Sequence, residues 1–85
     1  MSPMPESALE AYQLAAQRLD HLKNARAYSR VTIHDINNSL AKINNALWLM
    51  ARESNVSTPL YRTCQQIVEK ELVEAQQHLN EPEPA

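Results

Sequence analysis

The sequence predicts an all-α protein built as a helical hairpin. Three observations predict this class. The 85 residues include no Gly and no Phe, and the common residues Ala, Leu, Gln and Glu favour helix. Apolar residues recur at spacings of three and four along most of the chain. No run of β-branched residues alternates with a period of two, as a half-buried strand would.

The first predicted helix is long and covers residues 7–53. Ser7 and Glu10 match the capping box, in which side-chain oxygens satisfy the first free backbone N–H groups. A continuous helix of this length would extend about 70 Å. Its apolar positions change register partway along, so we expect a break within 22–30. The alternative is a separate short helix, followed by a helix that begins near Arg26.

The register change is visible in the apolar residues themselves. Continuing the spacing of the first part would place Lys23, Arg26 and Arg30 in the apolar seam. The second part instead has a clean heptad seam, which is typical of helices that pack in bundles. Its members are Ile33, Ile36, Leu40, Ile43, Leu47 and Met50.

A turn at 54–58 and a second helix at 59–79 complete the predicted hairpin. Thr58 is an expected N-cap, and Pro59 suits the first helical position because its missing N–H needs no partner there. The single cysteine, Cys64, lies on the apolar stripe and is expected to be a small core residue. The predicted stripe of this helix is Tyr61, Cys64, Val68, Leu72, Ala75 and Leu79.

A two-helix hairpin leaves part of each apolar stripe uncovered. We therefore expect two copies to pair as a homodimer, an antiparallel four-helix bundle. The ends of the chain, residues 1–6 and the acidic, Pro-rich residues 81–85, are expected to be flexible and disordered.

Charge and hydropathy argue against several classes of protein. The net charge is −2, from 8 basic and 10 acidic residues, and the basic residues form no concentrated patch for nucleic acid. No apolar run is long enough to span a membrane, and no secretory signal is present, so we expect a cytoplasmic protein. No metal or cofactor motif is found. The loose basic group Arg18, Lys23, Arg26 and Arg30 is interpreted as a solvated helix face.

The segment with the most reactive group of side chains is 34–40, which has the sequence His-Asp-Ile-Asn-Asn-Ser-Leu. Because the seam points inward, His34 and Asn38 face outward as neighbours one turn apart, and Asp35 adjoins them. Neutral imidazole is a competent nucleophile. A neighbouring carboxylate can accept the proton released as an N–P bond forms, and a carboxamide can orient water for hydrolysis. These side chains suit phosphoryl transfer.

This segment resembles the H-box of two-component histidine kinases, in its His-Asp-x-Asn-Asn-x-Leu variant. The resemblance extends over roughly residues 22–79 and concerns the dimerisation and histidine-phosphotransfer domain of that family. It implies that His34 is phosphorylated, that Asp35 is the general base, and that Asn38 aids dephosphorylation. It also implies a four-helix homodimer whose partner is a response-regulator receiver domain with a phosphorylatable Asp.

The chain departs from the family in three respects. Ser39 replaces the proline that bends many family helices, and Ile33 stands where a small residue is usual. The sequence stops where the ATP-binding domain of the family would begin, and a chain without Gly holds no glycine-containing nucleotide motif. We therefore expect no autonomous ATP-dependent kinase activity. A separate kinase or a phosphorylated receiver would have to phosphorylate His34.

A stripe beside His34 is predicted to bind the partner. Ala41 and Trp48 follow His34 at one and two heptads, and Trp is enriched at the energetic centres of interfaces. Alternatively, Trp48 packs over the second helix or over a second copy. The predicted docking residues are Asn37, Ala41, Lys42, Asn45 and Trp48.

Two other interpretations are open. The chain can be a non-enzymatic helical adaptor or antagonist that binds a histidine kinase or another helical partner. It can also be a small helical chaperone or secretion-accessory subunit that holds a partner helix in an apolar groove. The remaining histidines, His21 and His78, are not part of a motif like that of residues 34–40 and are expected to be solvated.

Overall fold

The computed structural model describes residues 7–53 and 55–80. The all-α prediction is confirmed, since these residues form helices and no strand. Residues 1–6, residues 81–85 and residue 54 of the predicted turn lie outside the described residues, so the expectations for them stay predictions. The helices are α1 (Ala8–Ala25), α2 (Arg30–Arg52) and α3 (Pro59–Leu79).

The structure has three helices where the hairpin prediction had two. The long first helix is interrupted at residues 26–29, within the range where the register changes, and α1 packs against both other helices. An uninterrupted helix would have carried Lys23 and two arginines into the apolar seam. Burying unpaired charge is costly, and the break avoids that cost.

Two of the three helix starts were predicted. The Ser7 side chain accepts the backbone N–H of Glu10 at 3.2 Å, and the Thr58 side chain accepts that of Tyr61 at 3.2 Å. Pro59 is the first residue of α3. Each cap satisfies a donor that the first turn of a helix leaves free.

The start of α2 was not predicted as a cap. Ser29 Oγ accepts the backbone N–H of Thr32 at 3.2 Å and donates to Thr32 Oγ1 at 3.0 Å. Before it, the Tyr28 hydroxyl donates to the carbonyl of Leu79 at 2.9 Å, and the Arg26 guanidinium lies 5.2 Å from the Tyr28 ring centroid. These contacts hold the α1–α2 linker against the end of α3.

The core lies between the three helices, with α2 contributing most to it. Its predicted seam is buried except for the half-buried Ile33, and the α3 stripe is buried except for the half-buried Leu72. The interpretation of Cys64 as a buried core residue is confirmed. The apolar core residues are Ala16, Leu19, Ile36, Leu40, Ile43, Ala46, Leu47, Met50, Tyr61, Cys64, Val68, Ala75 and Leu79.

Helix α1 covers one side of the hairpin formed by α2 and α3. Ala16 and Leu19 are buried there, and Tyr12 packs partly buried against the core. The Tyr12 hydroxyl donates to Glu69 Oε1 at 2.6 Å and accepts from Gln65 Nε2 at 3.1 Å, which ties α1 to α3. Part of the apolar surface that was expected to require a second copy is therefore covered within one chain.

Candidate functional site

The candidate site occupies the face of α2 opposite its buried seam. Every residue along the centre of this face is exposed. The spacing alternates four and three, which is the pattern of one continuous stripe on a helix. We call it the outer stripe, and it consists of His34, Asn38, Ala41, Asn45, Trp48 and Arg52.

His34 lies exposed in the second turn of α2. Within residues 7–53 and 55–80 it forms no hydrogen bond or ion pair. Asn38 is also exposed, and residues four apart are neighbours on a helix surface. The imidazole and the carboxamide can therefore be approached together by a group from outside the chain.

Asp35 is turned toward α3 rather than toward His34. It is half-buried, and its Oδ2 lies 4.0 Å from Nδ1 of His78. This separation is too long for a hydrogen bond, so the contact is a loose ion pair at most. Adjacent residues on a helix do not face each other, which accounts for the direction of Asp35.

His78, which was expected to be solvated, is only partly exposed. Its side chain is 30% exposed and adjoins Asp35 across the α2–α3 contact. This proximity could not be predicted from a local pattern, because the two residues lie on different helices. The other remaining histidine, His21, is exposed as expected.

Lys23 is the second residue near the site that sequence analysis misplaced. Its Nζ donates to Asn37 Oδ1 at 2.7 Å and lies 2.9 Å from Asp20 Oδ1. The Lys23 side chain is only 15% exposed, so it is not part of a solvated basic face. In the sequence, the only indication was that Lys23 would fall in the apolar seam of a continuous helix. This predicted a break in the helix but did not predict that Lys23 contacts Asn37.

The predicted docking residues fall into separate groups. Ala41 and Asn45 lie exposed on the outer stripe, and Trp48 is 58% exposed at its far end. The Arg52 guanidinium stacks 4.4 Å from the Trp48 ring centroid, which is a cation–π distance. Within one chain, Trp48 therefore does not pack over α3.

Lys42 belongs to the α2–α3 contact instead. Its Nζ lies 3.7 Å from Oε1 of Glu71, a carboxylate that is almost completely buried. The sequence did not predict a buried acid on α3. The pairing explains why Glu71 is tolerated there, since a buried charge is stable only beside a partner.

Metal binding and membrane insertion find no support in the described part of the chain. No three His, Cys, Asp or Glu residues there are grouped so that they could hold a metal ion. None of its helices combines the length and the apolar character needed to cross a bilayer.

Comparison with protein-family models, with curated proteins and with solved structures found no match to this chain. Its function must therefore be argued from the side chains. The arrangement offers an accessible imidazole, an amide one turn away, a carboxylate on the adjacent residue, and an exposed Trp further along the same face.

Proposed function

We propose that this chain is a phosphoacceptor module of two-component signalling, in which His34 exchanges a phosphoryl group with the aspartate of a receiver domain. One observation carries the proposal. His34 is exposed and makes no hydrogen bond or ion pair with the described residues, although an acid and an amide adjoin it. A histidine buried for a structural purpose would be expected to use its ring nitrogens within the fold, whereas those of His34 are open to an incoming group.

The proposed transfer involves few steps. The unprotonated ring nitrogen of His34 attacks the phosphorus of the aspartyl phosphate. An N–P bond forms as the P–O bond breaks, and the receiver carboxylate leaves. The proton on the other ring nitrogen becomes acidic and passes to Asp35 or to water. Since phosphoryl transfer relies mainly on positioning and electrostatics, the receiver can contribute the rest of the site.

Asp35 and Asn38 have distinct proposed roles. Asp35 is the proposed proton acceptor, and for this role its carboxylate would turn from the loose contact with His78, at 4.0 Å, toward the ring of His34. Asn38 orients the water that hydrolyses phosphohistidine. The phosphoryl donor is a kinase or a phosphorylated receiver, since a sequence without Gly holds no glycine-containing nucleotide loop.

In this proposal two copies pair through α2 and α3 to form a four-helix bundle. Leu49, Leu60 and Ile67 support it, because each is a large apolar residue that one chain leaves exposed. By helical spacing they follow Lys42 and Glu71 along one side of the hairpin, whereas α1 contacts the other side. Exposed apolar residues grouped on one side favour a partner surface.

The phosphotransfer proposal is tested with receiver domains labelled with radioactive phosphate. We expect a cognate receiver to transfer label to the chain as an acid-labile, base-stable phosphate. His34→Ala should abolish the label, and the control His21→Ala should retain it, since His21 is exposed on α1 and lies outside the 34–40 segment. Label that survives His34→Ala, or equal loss in both variants, would contradict the assignment.

A helical adaptor is the second candidate function, and the exposure of Trp48 favours it. A 58% exposed Trp stacked with Arg52 is a ready anchor for a partner helix. If the chain is an adaptor, Trp48→Ala should abolish partner binding while His34→Ala leaves it unchanged. The phosphotransfer proposal predicts that both variants reduce phosphoryl transfer from the receiver domain. Of the two, only Trp48→Ala should also weaken binding of the receiver domain.

A further inference from the structure

The ammonium group of Lys23 lies beside the face of α2 that carries His34. Its Nζ is 2.7 Å from Oδ1 of Asn37, and Asn37 follows His34 by three residues. Side chains at this spacing have Cβ atoms about 5–6 Å apart. The cation therefore lies beside the side chain that neighbours the imidazole on α2, although it belongs to a different helix.

A second cation flanks the imidazole from the opposite direction. Arg30 is exposed and precedes His34 by four residues, so it is a neighbour on the same helix surface. The order along this face is Arg30, then His34, then Asn37 with the Lys23 ammonium bonded to it. By helical spacing, the imidazole thus lies between the positions of two basic residues and can be approached by both.

We infer that Lys23 is a phosphoryl-binding residue, by which α1 supplies a cation to the oxygens of a phosphoryl group on His34. This inference rests on the proposed function. The phosphoryl group brings about two negative charges and acceptor oxygens, and charge-assisted hydrogen bonds to it are stronger than neutral ones. The low exposure of Lys23, 15%, limits screening by water.

Asp20 pairs with this cation within α1. Its Oδ1 lies 2.9 Å from Lys23 Nζ, and the Asp20 side chain is 60% exposed, so solvent weakens its hold on the ammonium. Phosphoryl oxygens can then compete with an exposed carboxylate and a neutral amide for the same three N–H donors. Removing the charge of Asp20 should favour the phosphoryl group.

The test uses phosphoramidate, a small phosphodonor that needs no partner protein. The ring nitrogen forms a bond to phosphorus as the P–N bond to ammonia breaks, and ammonia leaves. The rate at which phosphohistidine forms at His34 is followed by phosphorus NMR in the full chain. The rate at His21 serves as the reference within each sample. Circular dichroism confirms that each variant is folded.

We expect Lys23→Gln to slow formation of phosphohistidine at His34 by about fivefold relative to His21, because one charge-assisted contact is lost. Lys23→Arg should restore most of the rate, and Asp20→Asn should increase it. The matched control is Lys70→Gln, which removes an exposed positive charge from α3.

The outcomes separate this inference from the proposed function. Equal rates at His34 in the unmodified chain and in both Lys23→Gln and Asp20→Asn would overturn the role of Lys23 and leave the receiver experiment to decide the function. An equal fall in Lys70→Gln would also overturn it, since the effect would then be one of net charge. If phosphoramidate does not phosphorylate His34 in the unmodified chain, this inference fails, and the receiver experiment alone decides the proposed function.

Discussion

The side chain of Tyr12 joins α1 to α3 through a polar contact at the edge of the core. Its hydroxyl donates to Glu69 and accepts from Gln65. Burial raises the pKa of the Tyr12 phenol, and the hydrogen bond to the Glu69 carboxylate raises this pKa further. Ionisation of Tyr12 would therefore weaken the attachment of α1.

Tyr12→Phe should lower the free energy of unfolding by about 1 kcal/mol or less near neutral pH, since the lost hydrogen bond is partly exposed. Because the folded pKa is raised, the folded state holds the phenolic proton more tightly than the unfolded state. This contribution is fully present below about pH 10 and is lost as pH rises through the folded pKa. Urea unfolding of both proteins at about pH 8 and about pH 11 measures the change.

The difference between the two proteins should thus shrink at the higher pH. An equal difference at both pH values would contradict the assigned role of the phenolic proton. Glu69→Gln is a useful control, because it keeps an acceptor for the hydroxyl and removes the carboxylate charge.

Among the residues of the candidate site, the sequence predicted the direction of the His34 side chain, but it did not predict the contacts of the neighbouring residues. The heptad seam alone predicts that His34 and Asn38 face outward, because their positions follow from helix geometry. The surroundings of Lys23 and Asp35 could not be predicted in this way. Their partners, Asn37 and His78, belong to other helices, and a local pattern carries no information on which helices meet.

At the scale of the helices, the boundary between α1 and α2 has the greatest consequence. A single long helix would carry Lys23 away from the candidate site. The break at residues 26–29 reverses the direction of the chain, so that Lys23 at the end of α1 returns to Asn37 on α2. Ser29 stabilises the new start of α2 by accepting the N–H of Thr32.

Ser29→Ala should destabilise the protein by about 1 kcal/mol, the usual cost of losing an N-cap side chain. We expect faster hydrogen exchange at the backbone N–H of Thr32, since that donor loses its partner. The control is Ser57→Ala, because Ser57 lies in the exposed turn and uses its backbone N–H rather than its hydroxyl. Unchanged exchange at Thr32 would show that Ser29 does not hold the start of α2.

For the whole molecule, the proposed dimer depends on which apolar surface one chain leaves uncovered. Helix α1 already packs over one side of the α2–α3 hairpin through Ala16 and Leu19. The other side leaves Leu49 and Ile67 exposed at 38% and 39%. A four-helix bundle of two copies would therefore use the side away from α1.

The double substitution Leu49→Glu/Ile67→Glu should convert a dimer into a folded monomer, because the added charges oppose burial of that side. Sedimentation of the 9.7 kDa chain measures the mass of the assembly. Val73→Glu is the matched control, since Val73 is 59% exposed on a different face of α3. A monomeric unmodified chain, or a dimer that persists in the double variant, would contradict the proposed interface.

The sequence by itself determined the helical class, the apolar seam of α2, the caps at Ser7 and Thr58, and the outward direction of His34. Each of these depends on helix geometry and on residues within a few positions of one another. Only the tertiary structure decided that α1 folds back over the hairpin, that Lys23 meets Asn37, and that Asp35 turns to His78. The reason is physical: helix periodicity determines which side of a helix is apolar, whereas the packing of several such sides determines which helices come into contact.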